Sequence, residues 1–270
     1  MYGHLSRYTT LGVGGRAKEL VIARSEQELI DNGDALVLGC GSNVLVSDRG
    51  YDGTVVINRF EEISVFGDTV TAGSGTKLGV LCNVLCESEL GGLEWASGIP
   101  GSIGGAVRMN AGAFGGQISD VLLFADVLRD GELIRLGVSE LGLGYRTSAL
   151  KSGDVVISAT LRLQKRDKKN IADLAAEYRA KRLETQPKGR SAGSVFKNRG
   201  GMPVAKALDN LGFKGYRIGG AMVSNEHANI IVNTGDATAD DVYSLIKTLK
   251  SALEDIGYDA QEEIIYIGDF

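Results

Sequence analysis

Long apolar runs are missing from this chain of 270 residues, and nothing in it approaches the roughly 20 apolar positions that span a bilayer. The opening MYGHLSRYTT has no apolar core of the kind that marks a secretory leader, so a cytoplasmic protein without a membrane partner is expected. Cysteine is scarce: three residues do not make a disulfide framework, and Cys82 and Cys86, four apart as on one helix face, are expected as reduced thiols. The two histidines, His4 and His227, stand too isolated to complete a metal-ligand set, so no metal is expected. Positive charge is short as well. A net charge of −5 and a pI near 5.2 argue against a nucleic-acid binder. No Gly-Lys dipeptide occurs, which excludes a Walker A phosphate loop. Proline is rare, with three residues against 38 glycines.

That glycine excess is the first positive signal, at about twice the usual share of ~7%. It follows no collagen-like period, and the chain around it is too apolar for disorder. It falls instead in clusters, where glycine lets main-chain amides approach a ligand closely and adopt positive φ. Residues 39–53, GCGSNVLVSDRGYDG, follow a strand, and residues 98–116, GIPGSIGGAVRMNAGAFGG, hold seven glycines in 19 positions. The first is not a dinucleotide fingerprint, because after Gly39 and Gly41 the third position is Val44 and no helix leads to an acidic residue. A Rossmann fold is therefore not expected. Each cluster alone reads as a tight turn in a β-rich protein. Two long loops together, mixing Gly with Ser and Asn donors, suit a nest of amides that neutralises a diphosphate.

The second signal is a reversal of charge. Between Lys181 and Gly220 nine Lys or Arg face two acidic residues, giving +7 locally in a chain of −5. SAGSVFKN (191–198) lies inside this stretch, a small-residue turn with a hydroxyl at its centre, and the segment reads as an anion-binding site.

Patterning gives an α+β class. Over the first 165 residues short strands are expected at 35–39, 43–48, 53–59, 69–73 and 154–163, flanked by Gly or Asp. A helix over about 76–90 follows from the spacing of Leu78, Leu81, Val84 and Leu85. A polar connector at 164–170 leads to a helix over about 170–184, closed by Pro187. The last 85 residues form a second α+β unit. In it Pro203 opens a short helix ending near Gly212, 228–233 is a strand, and a long helix runs from Thr238, at capping-box spacing from Asp241, to Gly257. The segment 262–268 is a closing strand.

TTLGVGG (9–15), GCGSNVLVSDRGYDG, SGIPGSIGGAVRMNAGAFGG (97–116) and SAGSVFKN together resemble the UDP-N-acetylenolpyruvoylglucosamine reductase (MurB) family, from about Tyr8 to Gly268. The resemblance implies an FAD-binding domain of the vanillyl-alcohol-oxidase/PCMH type over 1–166, with two α+β subdomains at about 1–60 and 61–166. A connecting helix at 167–186 and a smaller substrate-binding domain over 187–270 would follow, the last strand returning to the active site. It implies non-covalent FAD, NADPH as co-substrate, and reduction of an enolpyruvyl ether in peptidoglycan precursor synthesis by a monomer. Gly39, Cys40, Gly41, Ser42, Asn43 and Val44 would cradle the FAD diphosphate, with Cys40 as a space filler and not a covalent flavin link. Gly98, Pro100, Gly101, Ser102, Gly104, Gly105, Asn110, Gly112 and Ala113 would line the cofactor on its other side. Ser194 matches the family's proton donor, Arg146 its catalytic arginine and Glu263 its C-terminal glutamate. Strand alternation would put Glu263 on an apolar face with Ile265 and Ile267, and Ile265 stands where relatives often carry a basic residue. Tyr145, Lys197, Asn198, Lys214 and His227 are the expected substrate contacts. The short interval from Arg146 to Ser191 matches the subclass without an extra tyrosine-bearing loop. Two rival readings stay open: another flavin oxidoreductase of the same cofactor-binding superfamily, and a non-enzymatic nucleotide-sugar binding module.

Overall fold

The strand Val155–Arg162 is buried at every position but its last, as a central strand covered on both faces must be. It is the middle of a five-stranded antiparallel sheet with the order Glu132–Gly137, Leu122–Arg129, Val155–Arg162, Thr69–Gly73, Ile63–Phe66. Asp126 faces Ser158 and Val127 faces Val156, so Ile157 is an extra residue in a bulge. The bulge sends Val156 and Ala159 into one core and Val155 and Ile157 into another. The computed structural model describes residues 3–199 and 201–270; Met1, Tyr2 and Gly200, which the expected first subdomain and the basic segment include, lie outside the described residues. Among those described, no helix is long and apolar enough to cross a membrane.

The chain divides into two compact units, one of Val21–Cys40 and Val55–Arg182, the other of the N-terminal segment to Leu20, Gly41–Thr54 and Leu183–Phe270. The first holds the five-stranded sheet, whose larger core takes Leu78, Leu81 and Leu85 from the helix Leu78–Glu87 and Ile103, Ala106 and Val107 from the helix Ile103–Met109. Its second core sits under a shorter helix, Glu26–Asp31, capped reciprocally by Ser25 and Glu28. The strand Leu36–Leu38 runs parallel to Val55–Ile57 and delivers the chain to the first glycine cluster.

In the other unit a four-stranded antiparallel sheet has the order Arg190–Ser194, Ile230–Asn233, Ala221–Val223, Arg217–Ile218. The helix Ala239–Asp255 lays Val242, Leu245, Ile246, Leu249 and Leu253 on the core of this unit, with Thr238 and Asp241 forming the capping box. Leu11, Val13 and Leu45 join that same core, Asn233 Nδ2 donates to Leu11 O at 3.0 Å, and Ile265–Ile267 pairs in parallel with Val44–Val46.

These contacts divide the chain differently from the expected blocks 1–166 and 187–270. The apolar N-terminal turn and the Val44–Val46 strand find their burial with the C-terminal segment, which sequence distance hides. Two expectations are corrected. The second glycine cluster is not one loop, since Ser102 Oγ caps a helix whose Ile103, Ala106 and Val107 are buried. The end of the chain does not alternate from 262 to 268 either. Residues 261–263 bond to the 195–197 segment before the chain changes partner to Val44–Val46, and that change leaves Ile264 and Ile267 buried and Ile265 exposed.

Candidate active site

Each unit presents its own cluster of the residues singled out above. In the first unit, residues 74–78 and 101–104 are zipped together: Leu78 N–H donates to Gly101 O at 3.0 Å, Ile103 N–H to Thr76 O at 2.9 Å and Gly104 N–H to Ser74 O at 2.9 Å. This sets the starts of two helices side by side. Beside them a cavity of about 550 Å³ is lined by Cys40, Lys77, Gly79, Val80, Asn83, the run Ser97–Gly101 and Arg179. Gly39 is required next to it, because a Cβ there would run into the Ser102 hydroxyl.

Cys40, Gly98, Pro100 and Gly101 thus line one cavity. Ser102, Gly104 and Gly105 serve the fold, the Gly105 amide reaching Ser102 Oγ at 3.5 Å and the Gly104 amide already bonded to Ser74. Asn110 closes the helix in the left-handed region with φ 41°. Its Nδ2 donates to Gln117 Oε1 and Gly144 O, and its Oδ1 accepts from Ser119 N. Gly112 and Ala113 form a two-residue strand against Gly116 and Gln117. Lys77, Asn83, Ser97 and Arg179 were missed by sequence reasoning. Ser97 opens the second glycine motif and Arg179 sits in the helix Lys168–Thr185 with no glycine motif around it, and only their shared cavity brings them together.

Arg146 lies in a tight turn where Gly144 and Thr147 bridge. Its φ of +54° is left-handed, a conformation a non-glycine residue holds only against a cost. Nη2 donates to Gly112 O at 2.7 Å, and the guanidinium carbon stands 5.3 Å from the ring centre of Tyr145, which is exposed.

In the other unit, Ser194 ends the strand Arg190–Ser194 just after a bulge, Ser191 pairing with Val232 and Ser194 with Ile230, with Gly193 at φ 74°. Bulges of this kind re-aim a side chain. The next residues are fixed on both sides. Val195 N–H donates to Asn229 O at 2.9 Å, and Phe196 exchanges two bonds with the Asn229 amide. Across the strip, Glu263 N–H donates to Val195 O at 2.7 Å and Lys197 N–H to Gln261 O at 2.8 Å. Asn43 Nδ2 donates to Glu263 O at 2.9 Å. The fold therefore brings Ser194, Lys197, Glu263 and Asn43 onto one strip. Gly41 turns the first cluster there with φ +59°, its Hα against Tyr8 O, and carries the chain through Ser42 and Asn43 to Val44.

The remaining expected contacts separate by what they already touch. Asn198 Oδ1 accepts from Val204 N at 3.0 Å and so holds the start of the helix Val204–Asn210. Lys214 Nζ is paired with Asp209 at 2.9 Å. His227 Nδ1 is buried without a hydrogen-bond partner, and burial, with Lys214 nearby, lowers its pKa below the usual imidazole value. In the first unit, burial likewise raises Cys82 to about 11 and pushes up Cys40, so both thiols stay protonated near neutral pH.

Residues 185–267 match the UDP-N-acetylenolpyruvoylglucosamine reductase C-terminal domain, and residues 21–137 an FAD binding domain. UDP-N-acetylenolpyruvoylglucosamine reductase of Thermotoga sp. (strain RQ2) is 42% identical over 98% of this chain and 92% of its own. The same-named protein of Caldicellulosiruptor bescii is 40% identical over 98% of this chain and 90% of its own. Among solved structures, the MurB crystal structure from Thermus caldophilus superposes with a TM-score of 0.90 at 39% identity, covering 99% of this chain and 98% of that one.

Proposed function

Because the chain belongs to the UDP-N-acetylenolpyruvoylglucosamine reductase family, we propose that it reduces the enolpyruvyl ether of UDP-N-acetylglucosamine to the lactyl ether, UDP-N-acetylmuramate, using FAD and NADPH. Its fold is α+β, an FAD-binding domain of the PCMH type with a smaller α+β domain. The reading extends to a cytoplasmic, monomeric enzyme of peptidoglycan precursor synthesis.

The residues present fit FAD. The cavity in the first unit combines glycine main chain, two cations, no carboxylate and the buried Ser97 hydroxyl, with the Cys82 thiol beside it. Held in that cavity, FAD would supply hydride-transfer chemistry between NADPH and the terminal carbon of the substrate double bond. The neighbouring carbon needs a proton, which we assign to Ser194 Oγ. A serine hydroxyl is a weak acid, so its transient alkoxide needs a nearby cation, a role that falls to Lys197 on the same strip. Arg146 is assigned to the substrate carboxylate, where its planar fork suits charge building up as hydride arrives. Glu263 assists proton delivery from its place across the strip. Lys214 and His227 are assigned to the substrate diphosphate.

The observation that carries this reading is the double clamp on the residues after Ser194, Asn229 on one side and Glu263 on the other. A turn that merely capped a strand would not need it. The test is Ser194→Ala: the purified protein should remain yellow and be bleached by NADPH, while product formation falls by at least ~10²-fold. Turnover near that of the parent removes Ser194 from the mechanism, and a colourless parent protein removes the flavoenzyme reading altogether.

A further inference from the structure

Arg146 stands at the tip of a doubly closed loop. Ala149 N–H donates to Leu141 O at 2.7 Å, and inside that closure Gly144 and Thr147 exchange main-chain bonds of 3.1 and 3.3 Å. Leu141 and Leu150, at the base of the loop, are buried in the larger core of the first unit. These closures fix the base but leave the tip free to tilt. Arg146 holds φ +54° there, and a strained backbone of that kind persists only where its surroundings over-determine it.

The missing constraint comes from one place, the end of the helix Ile103–Met109. Asn110 Nδ2 donates to Gly144 O at 3.1 Å, two residues before Arg146. Ser148 Oγ donates to Arg108 O at 2.7 Å, two residues after it. Arg146 itself reaches Gly112 O, so all three contacts fall within residues 108–112. That helix end is rigid. Asn110 and Ala111 close it by donating to Val107 O at 3.2 Å and Ala106 O at 2.8 Å, with Asn110 in the left-handed conformation usual for such a stop. Arg108 extends the same post beyond Ser148, its Nη2 donating to Lys151 O at 3.2 Å and Asp154 O at 2.7 Å. The carbonyl that Ser148 engages is among the last of its helix, which find no partner within the helix. The hydroxyl therefore satisfies a group that would otherwise be orphaned.

We propose that Ser148 is a positioning residue for Arg146, with Asn110 as its counterpart on the other side of the turn. Ser148 acts through the main chain: its one-carbon side chain ties the backbone beside Arg146 to the helix end and so sets where the guanidinium points. A fork that stabilises charge building up during the reaction must be aimed before that charge appears. A displacement on the order of 1 Å is enough to cost ~10²-fold in rate. The inference rests on the reading of Arg146 as the group at the substrate carboxylate, and adds what holds it there.

The test is a double-mutant cycle on the full-length flavoprotein. Enzyme reduced beforehand with dithionite is mixed with the enolpyruvyl substrate without oxygen, and the return of flavin absorbance is timed per bound flavin, so that only folded molecules count. Ser148→Ala should slow this step by at least ~10-fold in the parent. In an Arg146→Lys background the same change should cost no more than about twofold, because the fork it aims is already gone. Ser148→Thr keeps the hydroxyl and should retain most of the rate. Ser148→Cys, whose thiol donates weakly, should fall between, and it carries the same comparison if the alanine protein does not fold. Equal losses in the two backgrounds overturn the proposal, because a general loosening of the fold would act with or without the fork. A parent-like rate for Ser148→Ala overturns it as well. A parent enzyme whose reduced flavin the substrate never reoxidises is a distinct result: it sinks the functional reading, and this proposal with it.

Discussion

The side chain of Asn229 stands in for a neighbouring strand at Phe196: its Oδ1 accepts from Phe196 N at 3.0 Å and its Nδ2 donates to Phe196 O at 2.8 Å. Both residues are buried, 2% and 1% exposed, so water has no access to the two main-chain groups if the amide is removed. Asn229→Ala should cost roughly 2–4 kcal/mol, for two buried polar groups left without partners. Because Ser194 lies two residues before Phe196, turnover should fall by more than the stability loss explains at a temperature where the variant is fully folded. Asn229→Asp keeps the acceptor and loses the donor, so it should fall between parent and alanine. Thermal melts and initial rates on the three proteins check the order, and an Asn229→Ala protein as active as the parent removes Asn229 from the positioning of Ser194.

His227 gives a pH dependence with a definite sign. Burial first, then Lys214, lowers its pKa in the folded state, whereas the unfolded chain titrates near the ordinary value of about 6.5. Between those two values the unfolded chain binds a proton that the folded protein refuses, so stability rises with pH there. The contribution is complete above about pH 6.5 and shrinks as pH falls through that value towards the folded pKa. Thermal midpoints measured from neutral to mildly acidic pH should drop for the parent protein. His227→Gln should flatten that slope, and an unchanged slope would assign the acid sensitivity to other groups.

The long helices and the glycine clusters were legible because each rests on local signals. The capping box at Thr238 and Asp241 and the apolar stripe to Leu253 placed the Ala239–Asp255 helix almost to the residue. The helix Ile103–Met109 was hidden by Gly104 and Gly105, which lower helix propensity. Gly104 is there for contact, since a Cβ would press on Ser74, and the Ser102 cap with Ile103, Ala106 and Val107 was the signal to weigh against it. The hairpin of Leu122–Arg129 and Glu132–Gly137 turns on Asp130-Gly131, both with positive φ, a two-residue turn signal carried by the sequence itself. The parity at Glu263 was not readable, because it depends on a strand that changes partner between residues 263 and 265, a fact of tertiary pairing. The same holds for Lys77, Ser97 and Arg179, which are distant in sequence and meet only around one cavity.

Gly39 tests the packing beside that cavity. A methyl group there would overlap the Ser102 hydroxyl, while the Ser102 Cβ stands at 3.4 Å, an ordinary contact distance. Gly39→Ala should therefore destabilise the protein by ~1–3 kcal/mol through overpacking and weaken flavin retention on a desalting column. Ser102→Ala alone should cost about 1 kcal/mol through the lost helix cap. Combined, the two changes should cost less than their sum, because removing the hydroxyl makes room for the new methyl. A double mutant at or beyond additivity would show that the glycine is required for some reason other than this contact.

Arg146 separates stability from activity. Its left-handed backbone, φ +54°, costs a non-glycine residue on the order of 1 kcal/mol, which Arg146→Gly releases. The same change removes the 2.7 Å bond to Gly112 O, worth about as much. The two nearly cancel, so the melting temperature of Arg146→Gly should stay within a few degrees of the parent's, whereas turnover of the enolpyruvyl substrate should fall at least ~10²-fold if the guanidinium stabilises developing charge. Arg146→Lys keeps the charge and the strained φ but loses the fork, and should recover only a small part of the rate. A residue kept for folding alone predicts the opposite pattern, with stability lost and the rate per folded molecule unchanged. Melting curves beside steady-state kinetics on these two variants decide which constraint put an arginine in a glycine's conformation.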